Sequence, residues 1–166
     1  MGMYDNLKDI NRVLRNDETL LRLLFYPSKD VRTFAPDPLD ENLPNLLDKS
    51  PIELKELRDK RIMVTPKSDD LVKEPICRIY LYAGRRKPVD GYYHARQQVI
   101  VDILVHESFE TDLRISRISD RICKLLINES VTGIGKVKYI NGTLKSAPNG
   151  YVAYSLIFEV GAVDGV

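Results

Sequence analysis

The feature that most constrains the fold is a long alternating segment, Tyr93 to Val105, which an amphipathic helical pattern follows. Alternate positions of this segment are mostly apolar and would share one face: Tyr93, Ala95, Val99, Val101, Ile103 and Val105. The positions between them are largely polar: His94, Arg96, Gln98, Asp102 and His106. Such alternation is typical of a strand with one buried face. The segment therefore predicts a sheet with an apolar underside.

A helix and three further strands are predicted around this segment. Ser108 is a candidate cap for a helix over about Glu110 to Asn128. The apolar stripe of this helix would pack on the sheet: Ile115, Ile118, Ile122, Leu125 and Leu126. One strand is predicted from Ile76 and a polar connection follows from Gly84 to Gly91. After the helix come a strand over Ile134 to Ile140, a polar turn over Asn141 to Gly150, and a strand over Val152 to Val160.

This order predicts an α+β domain with a mostly antiparallel β-β-α-β-β sheet and one long helix packed on a face. At 166 residues, one domain over 1–166 is expected. It would comprise N-terminal helices over 1–26, a Pro-rich arm over 27–75, the α+β core over 76–160 and a tail over 161–166. Asn16 or Asp17 would cap the second N-terminal helix.

The arm carries five of the nine prolines between Pro27 and Pro51, which disfavours regular structure. Ser50, Pro51 and Glu53 nevertheless predict a short helix that ends near Lys60. A brief edge strand over Ile62 to Val64 would follow. Because a long irregular segment in a compact domain is often functional, we expect the arm to lie on a neighbouring subunit.

Composition limits the functional classes. The 25 basic and 24 acidic residues give a net charge of +1, so no overall attraction to nucleic acid is expected. With no long apolar run and no apolar signal core, we expect a protein made in the cytoplasm that spans no membrane. The two cysteines, Cys77 and Cys123, are predicted to be small buried thiols.

No catalytic residues, cofactor site or metal site are predicted. The strings GxxxxGK[ST], GxGxxG and GxSxG do not occur in the sequence. The run Gly133-Ile134-Gly135-Lys136 is only a fragment of such patterns and is typical of a turn. His94 and His106 lie too far apart along one strand to hold one metal ion. The protein is therefore not expected to be an enzyme.

Two basic groups are candidate lumen or interface residues. Arg85, Arg86 and Lys87 would lie at the tip of the first hairpin, where they could project into a channel that carries DNA. The alternative is a charged tip that keeps the loop soluble. A basic stripe follows the predicted helix opposite its apolar side: Arg114, Arg117, Arg121 and Lys124. It could meet nucleic acid or an acidic partner, or be a solvated face partly paired with Asp112 and Asp120.

A family resemblance gives these groups a context. The strings VIVDILVHE, DLRISRISDRICKLLI and YVAYSLIFEV, with a glycine turn before the last, resemble the tail terminator and head-tail joining (neck) proteins of long-tailed bacteriophages. The likeness lies in a pattern of elements from Val99 to Val160. The Pro-rich segment is longer than expected for a minimal terminator.

The resemblance implies a virion protein that forms a ring, commonly hexameric, at the top of the tail. Such a ring ends tube polymerisation and joins the tail to the head connector. The implied partners are further copies of the chain, the tail tube protein, neck proteins and the genomic DNA, which passes through the lumen without sequence-specific binding. A location in the virion tail or neck would follow, with host cytoplasm during assembly.

Two alternatives remain open. The first is a head-completion or stopper protein, or another neck or minor tail protein, which would differ in the neighbour it binds. The second is a nucleic-acid-binding regulator, for which the isolated monomer would show salt-dependent affinity for duplex DNA. The near-neutral net charge weighs against a regulator.

Overall fold

The protein is an α+β domain, as seen in a computed structural model that describes residues 2–89 and 94–163. The helices of this part of the chain are α1 Met3–Asn16, α2 Glu18–Phe25, α3 Pro51–Arg61 and α4 Arg114–Leu126. The strands are β1 Ile62–Met63, β2 Cys77–Pro88, β3 His94–His106, β4 Ile134–Lys145 and β5 Tyr151–Val163. Short 3-10 helices cover Leu46–Asp48 and Glu110–Asp112. The predicted fold class is confirmed.

The five strands form one mostly antiparallel sheet in the order β1-β2-β3-β5-β4. The pairs β2–β3, β3–β5 and β5–β4 are antiparallel, whereas the short edge strand β1 runs parallel to β2. Helix α4 connects β3 to β4, and β5 then returns between these two strands. The central strand β3 therefore has a long partner on both sides, and β4 lies at the sheet border.

The main core lies between one face of the sheet and helices α1, α2 and α4; we call this the inner face. Alternate strand residues and the apolar stripes of the helices are fully buried there, among them Ile10, Leu14, Leu20, Leu24, Ile79, Val101, Ile103, Ile118, Ile122, Leu126, Leu156 and Phe158. The stripe predicted for α4 therefore does pack on the sheet. Asp17 caps α2 by accepting a 2.8 Å hydrogen bond from the Leu20 amide. Of the two predicted caps, Asn16 and Asp17, the second is therefore confirmed.

The opposite, outer face carries a second small core beneath the segment that follows β1. Leu71 from this segment packs with Ile76, which directly precedes β2, and with Tyr80, Leu104 and Ala153 of the sheet. The same segment is fixed by Arg78, whose two terminal nitrogens donate to the Asp70 carboxylate at 2.9 and 2.7 Å. The prediction of a one-sided strand is therefore wrong for the middle of β3, where Asp102 is only 4% exposed.

The Pro-rich first half of the predicted arm packs on its own domain. Arg22 of α2 donates to the carbonyl oxygens of Asp40 at 2.8 Å and Leu43 at 3.0 Å, and Tyr26 donates to that of Pro44 at 2.7 Å. Leu46 is fully buried. These contacts hold residues 40–46 of the arm on their own domain, and contact of the rest of the arm with a neighbouring subunit stays a prediction. Side chains at the end of α2 thus donate to backbone carbonyls of the Pro-rich segment. The number of prolines in the segment does not predict such contacts.

Several predicted boundaries are also corrected. Helix α4 begins at Arg114 because Leu113 adopts the left-handed conformation, with φ of 58°. Its first turn is capped by Glu110, which accepts a hydrogen bond from the Ile115 amide at 3.1 Å, whereas Ser108 instead contacts the His106 ring at 2.8 Å. Strand β4 continues to Lys145 through part of the predicted turn, and β5 continues to residue 163 in the predicted tail.

Candidate functional site

The first candidate group lies within strand β2 rather than at a hairpin tip. Arg85, Arg86 and Lys87 are exposed, and β2 continues through them to Pro88. The predicted connection over 84–91 is thus wrong for residues 84–88, while residues 90–93 lie outside the described residues. The strand register shifts between Ala83 and Arg86. A bulge of this kind bends the strand and increases its local twist.

Exposed cations from two other strands lie beside this group. Lys87 lies opposite Arg96, and Lys138 lies opposite Glu159 in the β4–β5 register. Because directly paired residues share one face of a sheet, Lys87 and Arg96 point to the same side. Six exposed cations thus gather at one end of the sheet, here called the basic sheet end: Arg85, Arg86, Lys87, Arg96, Lys136 and Lys138.

Glu159 provides a negative charge within the basic sheet end. Its carboxylate lies 3.7 Å from the Arg96 guanidinium, and both line a cleft of about 280 Å³ together with Lys136 and Lys138. Arg96, Lys136 and Lys138 were not among the predicted site residues. The sequence shows that these residues occupy polar positions in strands. The strand register that brings them close to Lys87 could not be predicted from it. The surface can attract anions such as phosphate groups.

The α4 stripe is largely structural rather than a free surface. Arg114 is fully buried and donates 2.7 Å hydrogen bonds to the carbonyl oxygens of both Leu23 and Tyr26 at the end of α2. It also pairs with Asp112 at 2.9 Å. The sequence-based placement of Arg114 on an exposed basic face is wrong, because α2 folds over this side of α4.

Arg117 and Arg121 hold other parts of the N-terminal region. Arg117 binds both carboxylate oxygens of Asp37, at 2.9 and 3.1 Å, and these hydrogen bonds lower the Asp37 pKa. Arg121 binds both oxygens of Asp17, at 2.6 and 2.8 Å, which raises the Arg121 pKa. Apart from Asp112, the partners differ from those considered in sequence analysis. Lys124 is the one exposed member of the stripe.

Tyr82, Asp102 and Lys145 form a polar cluster that was not predicted from the sequence. The Tyr82 hydroxyl donates to Asp102 at 2.6 Å, and Lys145 donates to the same carboxylate oxygen. This hydrogen bond raises the Lys145 pKa, whereas burial raises the Tyr82 pKa with a further contribution from Asp102. The cluster fastens the end of β4 to the outer face of the sheet.

The described residues offer few groups for metal or thiol chemistry. Within 2–89 and 94–163, no group of three or more His, Cys, Asp or Glu side chains is arranged to hold a metal ion. Cys77 is buried, and burial raises its pKa to about 12, so its thiol is unreactive. Cys123 is half-buried beside β4. No helix in this part of the chain is long and apolar enough to cross a membrane.

The fold and the basic sheet end define an α+β protein with an exposed cationic surface. The model of the YomW family matches residues 17–160, and the chain belongs to this family. The SPbeta prophage-derived protein YomW of Bacillus subtilis (strain 168) is 29% identical over 165 residues, which cover 95% of this chain and 96% of that protein. A chain in a solved structure titled virion of native gene transfer agent (GTA) particle is 10% identical, with a TM-score of 0.45, over 76% of this chain and 87% of that one.

Proposed function

We propose that this protein is a structural virion protein: a tail terminator subunit that forms a ring at the top of a phage tail. The ring would end polymerisation of the tail tube and join the tail to the head connector. The prophage origin stated in the relative's name supports a viral role. The resemblance of the segment from Val99 to Val160 to tail terminators supports the particular position.

The main support for this proposal is the basic sheet end. A ring through which DNA passes must tolerate a dense row of phosphates, and exposed cations lower the electrostatic cost of that passage. The basic sheet end supplies six such cations on three strands, with Glu159 among them. Mixed charge of this kind permits passage without tight binding, since strong phosphate contacts would retain the DNA.

The sheet borders supply candidate contacts between copies. A closed ring requires two different complementary patches on each subunit. Strand β1 covers β2 only at Ile79 and Tyr80, and beyond them the described residues place no further strand on this side of β2. At the other border, β4 makes backbone hydrogen bonds with residues 128 and 129 through Val137. Exposed strand edges are templates for pairing with another chain, so these borders fit a ring-forming subunit.

Solution mass is the first test of the proposal. Light scattering of the purified chain over a range of concentrations, followed by negative-stain imaging, should show closed rings. The expected result is a defined multimer whose images have a central channel. If only a monomer appears, the chain would be added to purified tail tubes. Failure to bind tube ends there would overturn the terminator role.

Charge neutralisation tests the lumen assignment. A phage that lacks the corresponding gene would be complemented with R85Q/R86Q/K87Q, and infectious particles would be counted. We expect assembled tails but fewer infectious particles, because DNA passage or joining is impaired. The matched control K8Q/K55Q/K73Q removes three exposed lysines elsewhere. Equal infectivity of the two variants would exclude a role for these β2 cations.

Binding experiments with the purified chain also distinguish the two alternative functions. A stopper or head-completion protein would bind the head-side connector rather than tail tubes in a pull-down with each. A nucleic-acid-binding regulator would bind duplex DNA as a monomer, with affinity that falls steeply as salt rises. Either result in place of tube binding would replace the proposed function.

A further inference from the structure

A short loop on the surface presents two apolar side chains to solvent. Val31 is 80% exposed and Phe34 is 90% exposed. The loop is closed by a hydrogen bond from the Asp30 amide to the Ala35 carbonyl at 3.0 Å, and the Asp30 carboxylate accepts from the Arg32 amide at 2.8 Å. We call residues Val31–Phe34 the apolar loop. It is a small, well-braced projection rather than a loose tail.

The conformation of Phe34 is costly for the free protein. Its φ is 58°, in the left-handed region where bulky residues are rare. Exposing an aromatic side chain there forgoes the stabilisation that its burial would give. Both costs are offset when the ring enters a cavity on another molecule, as aromatic anchors do at protein interfaces.

A groove on the same chain has matching properties. It lies between α4 and the inner face of β4 and β5, with a volume of about 430 Å³. Its described lining combines apolar and aromatic side chains with small polar ones and one carboxylate: Ile115, Ser116, Ser119, Asp120, Cys123, Tyr139 and Tyr154. A volume of this size is within the range that buries compact ligands, about 300–1,000 Å³.

Two tyrosines that line the groove pack closely against a glycine in β4. A Cβ added at Gly142 would stand 2.5 Å from the Tyr139 hydroxyl and 2.7 Å from a ring carbon of Tyr154. Any other residue at this position would require the two tyrosine side chains, which both line the groove, to shift. Leu144, which lies opposite Tyr154 and is 80% exposed, extends the apolar surface beyond the groove.

We propose that the apolar loop of one copy of this chain inserts Phe34 into the α4–β4 groove of the next copy in the ring. The inference rests on the proposed ring. Arg32 lies between Val31 and Phe34 on the loop, and Asp120 provides the negative charge at the groove, so the two surfaces have opposite charges.

The two surfaces lie on different sides of α4, as a ring contact requires. Arg117 faces the segment that follows the loop, where it binds Asp37. Ile115 and Cys123 face β4. Residues two apart on a helix point in nearly opposite directions, so Ile115 and Arg117 mark opposite sides. Contacts between two different patches generate rings when the rotation closes.

A cysteine cross-link tests the contact directly. Cys123 lines the groove, so the F34C variant should form a disulfide with Cys123 of the next copy when diamide is added as oxidant. Each thiol loses its proton and the pair loses two electrons to the diamide. Because a disulfide requires Cα atoms within about 7 Å, only close approach gives a product. The expected result is a ladder of cross-linked multimers on a non-reducing gel.

Matched variants make the result specific. V72C places a thiol at another apolar position, which is 95% exposed, and should give no ladder. F34C/C123S removes the groove thiol and should also abolish it. Ladders from V72C, or from F34C/C123S, would overturn the inference. Absence of a ladder from F34C in preparations that form rings would do the same.

Light scattering separates failure of the contact from failure of the ring. F34A should weaken association by on the order of tenfold or more, as removal of an aromatic anchor does, while V72A should not. A charge exchange, R32E with D120R, should restore association that either single change weakens. If F34A forms rings as readily as the wild type, this contact is rejected and the proposed function is unaffected. A chain that never forms rings, even on tail tubes, would reject both.

Discussion

The arginines of α4 and the cations at the end of β2 are both clusters of basic residues in the sequence, but they differ in their contacts in the structure. In α4, Arg114, Arg117 and Arg121 make hydrogen bonds with the N-terminal region at 2.6 to 3.1 Å. In β2, Arg85 and Lys87 are exposed at the sheet end. A cluster of basic residues in a sequence therefore does not by itself indicate a binding surface. A cation whose partner comes from a distant segment stabilises the fold, whereas an exposed one remains able to meet another molecule.

The largest effect on stability is expected for R114M. This change removes the donor that serves the carbonyl oxygens of Leu23 and Tyr26 and leaves Asp112 without its buried partner. Loss of one member of a buried ionic network costs about 3–5 kcal/mol in the free energy of unfolding. Urea unfolding followed by circular dichroism measures it. K124M, at an exposed site on the same helix, is the control and should change stability by less than about 0.5 kcal/mol. Similar values for both would remove the distinction between buried and exposed members of the stripe.

A second anchored arginine, Arg78, gives a pH-dependent effect. It lowers the pKa of Asp70 to about 2 from an ordinary value of 3.8, mainly through its hydrogen bonds. Because the folded-state pKa is the lower one, the stabilisation is present above the ordinary value and is lost as pH falls from about 4 to about 2. The difference at neutral pH is about 2 kcal/mol. Wild type should exceed D70N by this amount at pH 7 and approach it at low pH in urea unfolding. A gap that is constant with pH would contradict this linkage.

The Asp17–Arg121 pair should show a smaller effect, because both side chains are partly exposed. Asp17 also caps α2, so D17A removes a cap and an ion pair and should cost about 2 kcal/mol, whereas R121A should cost about 1 kcal/mol. D17S retains a capping oxygen without the charge and should resemble R121A. Urea unfolding of the single variants and of D17S/R121A completes the cycle. If D17S/R121A loses the full sum of its two single changes, the residues are not coupled in the folded protein.

These pairs also show what the sequence could and could not predict. Local patterns identified α1, α2, α3 and the sheet, because caps and apolar periodicity act over a few residues. Apart from Asp112, the partners of Arg114, Arg117 and Arg121 lie 80 to 104 residues earlier in the chain, beyond any local pattern. Likewise, Arg96 and Lys138 join the basic sheet end only through strand register. The buried position of Asp102 depends on a loop that crosses the outer face, which no alternation in β3 reveals.

The smallest effect on stability is expected for R85Q/R86Q/K87Q, and it completes the comparison. The three side chains are exposed, so their neutralisation should change the free energy of unfolding by less than about 0.5 kcal/mol in total. The double variant R117Q/R121Q, with one fewer charge removed, should nevertheless lose more, since each of its arginines binds a carboxylate. Urea unfolding of both at pH 7 gives the answer. If the β2 variant is the less stable of the two, its cations also support the fold, and reduced infectivity would then report folding rather than DNA passage.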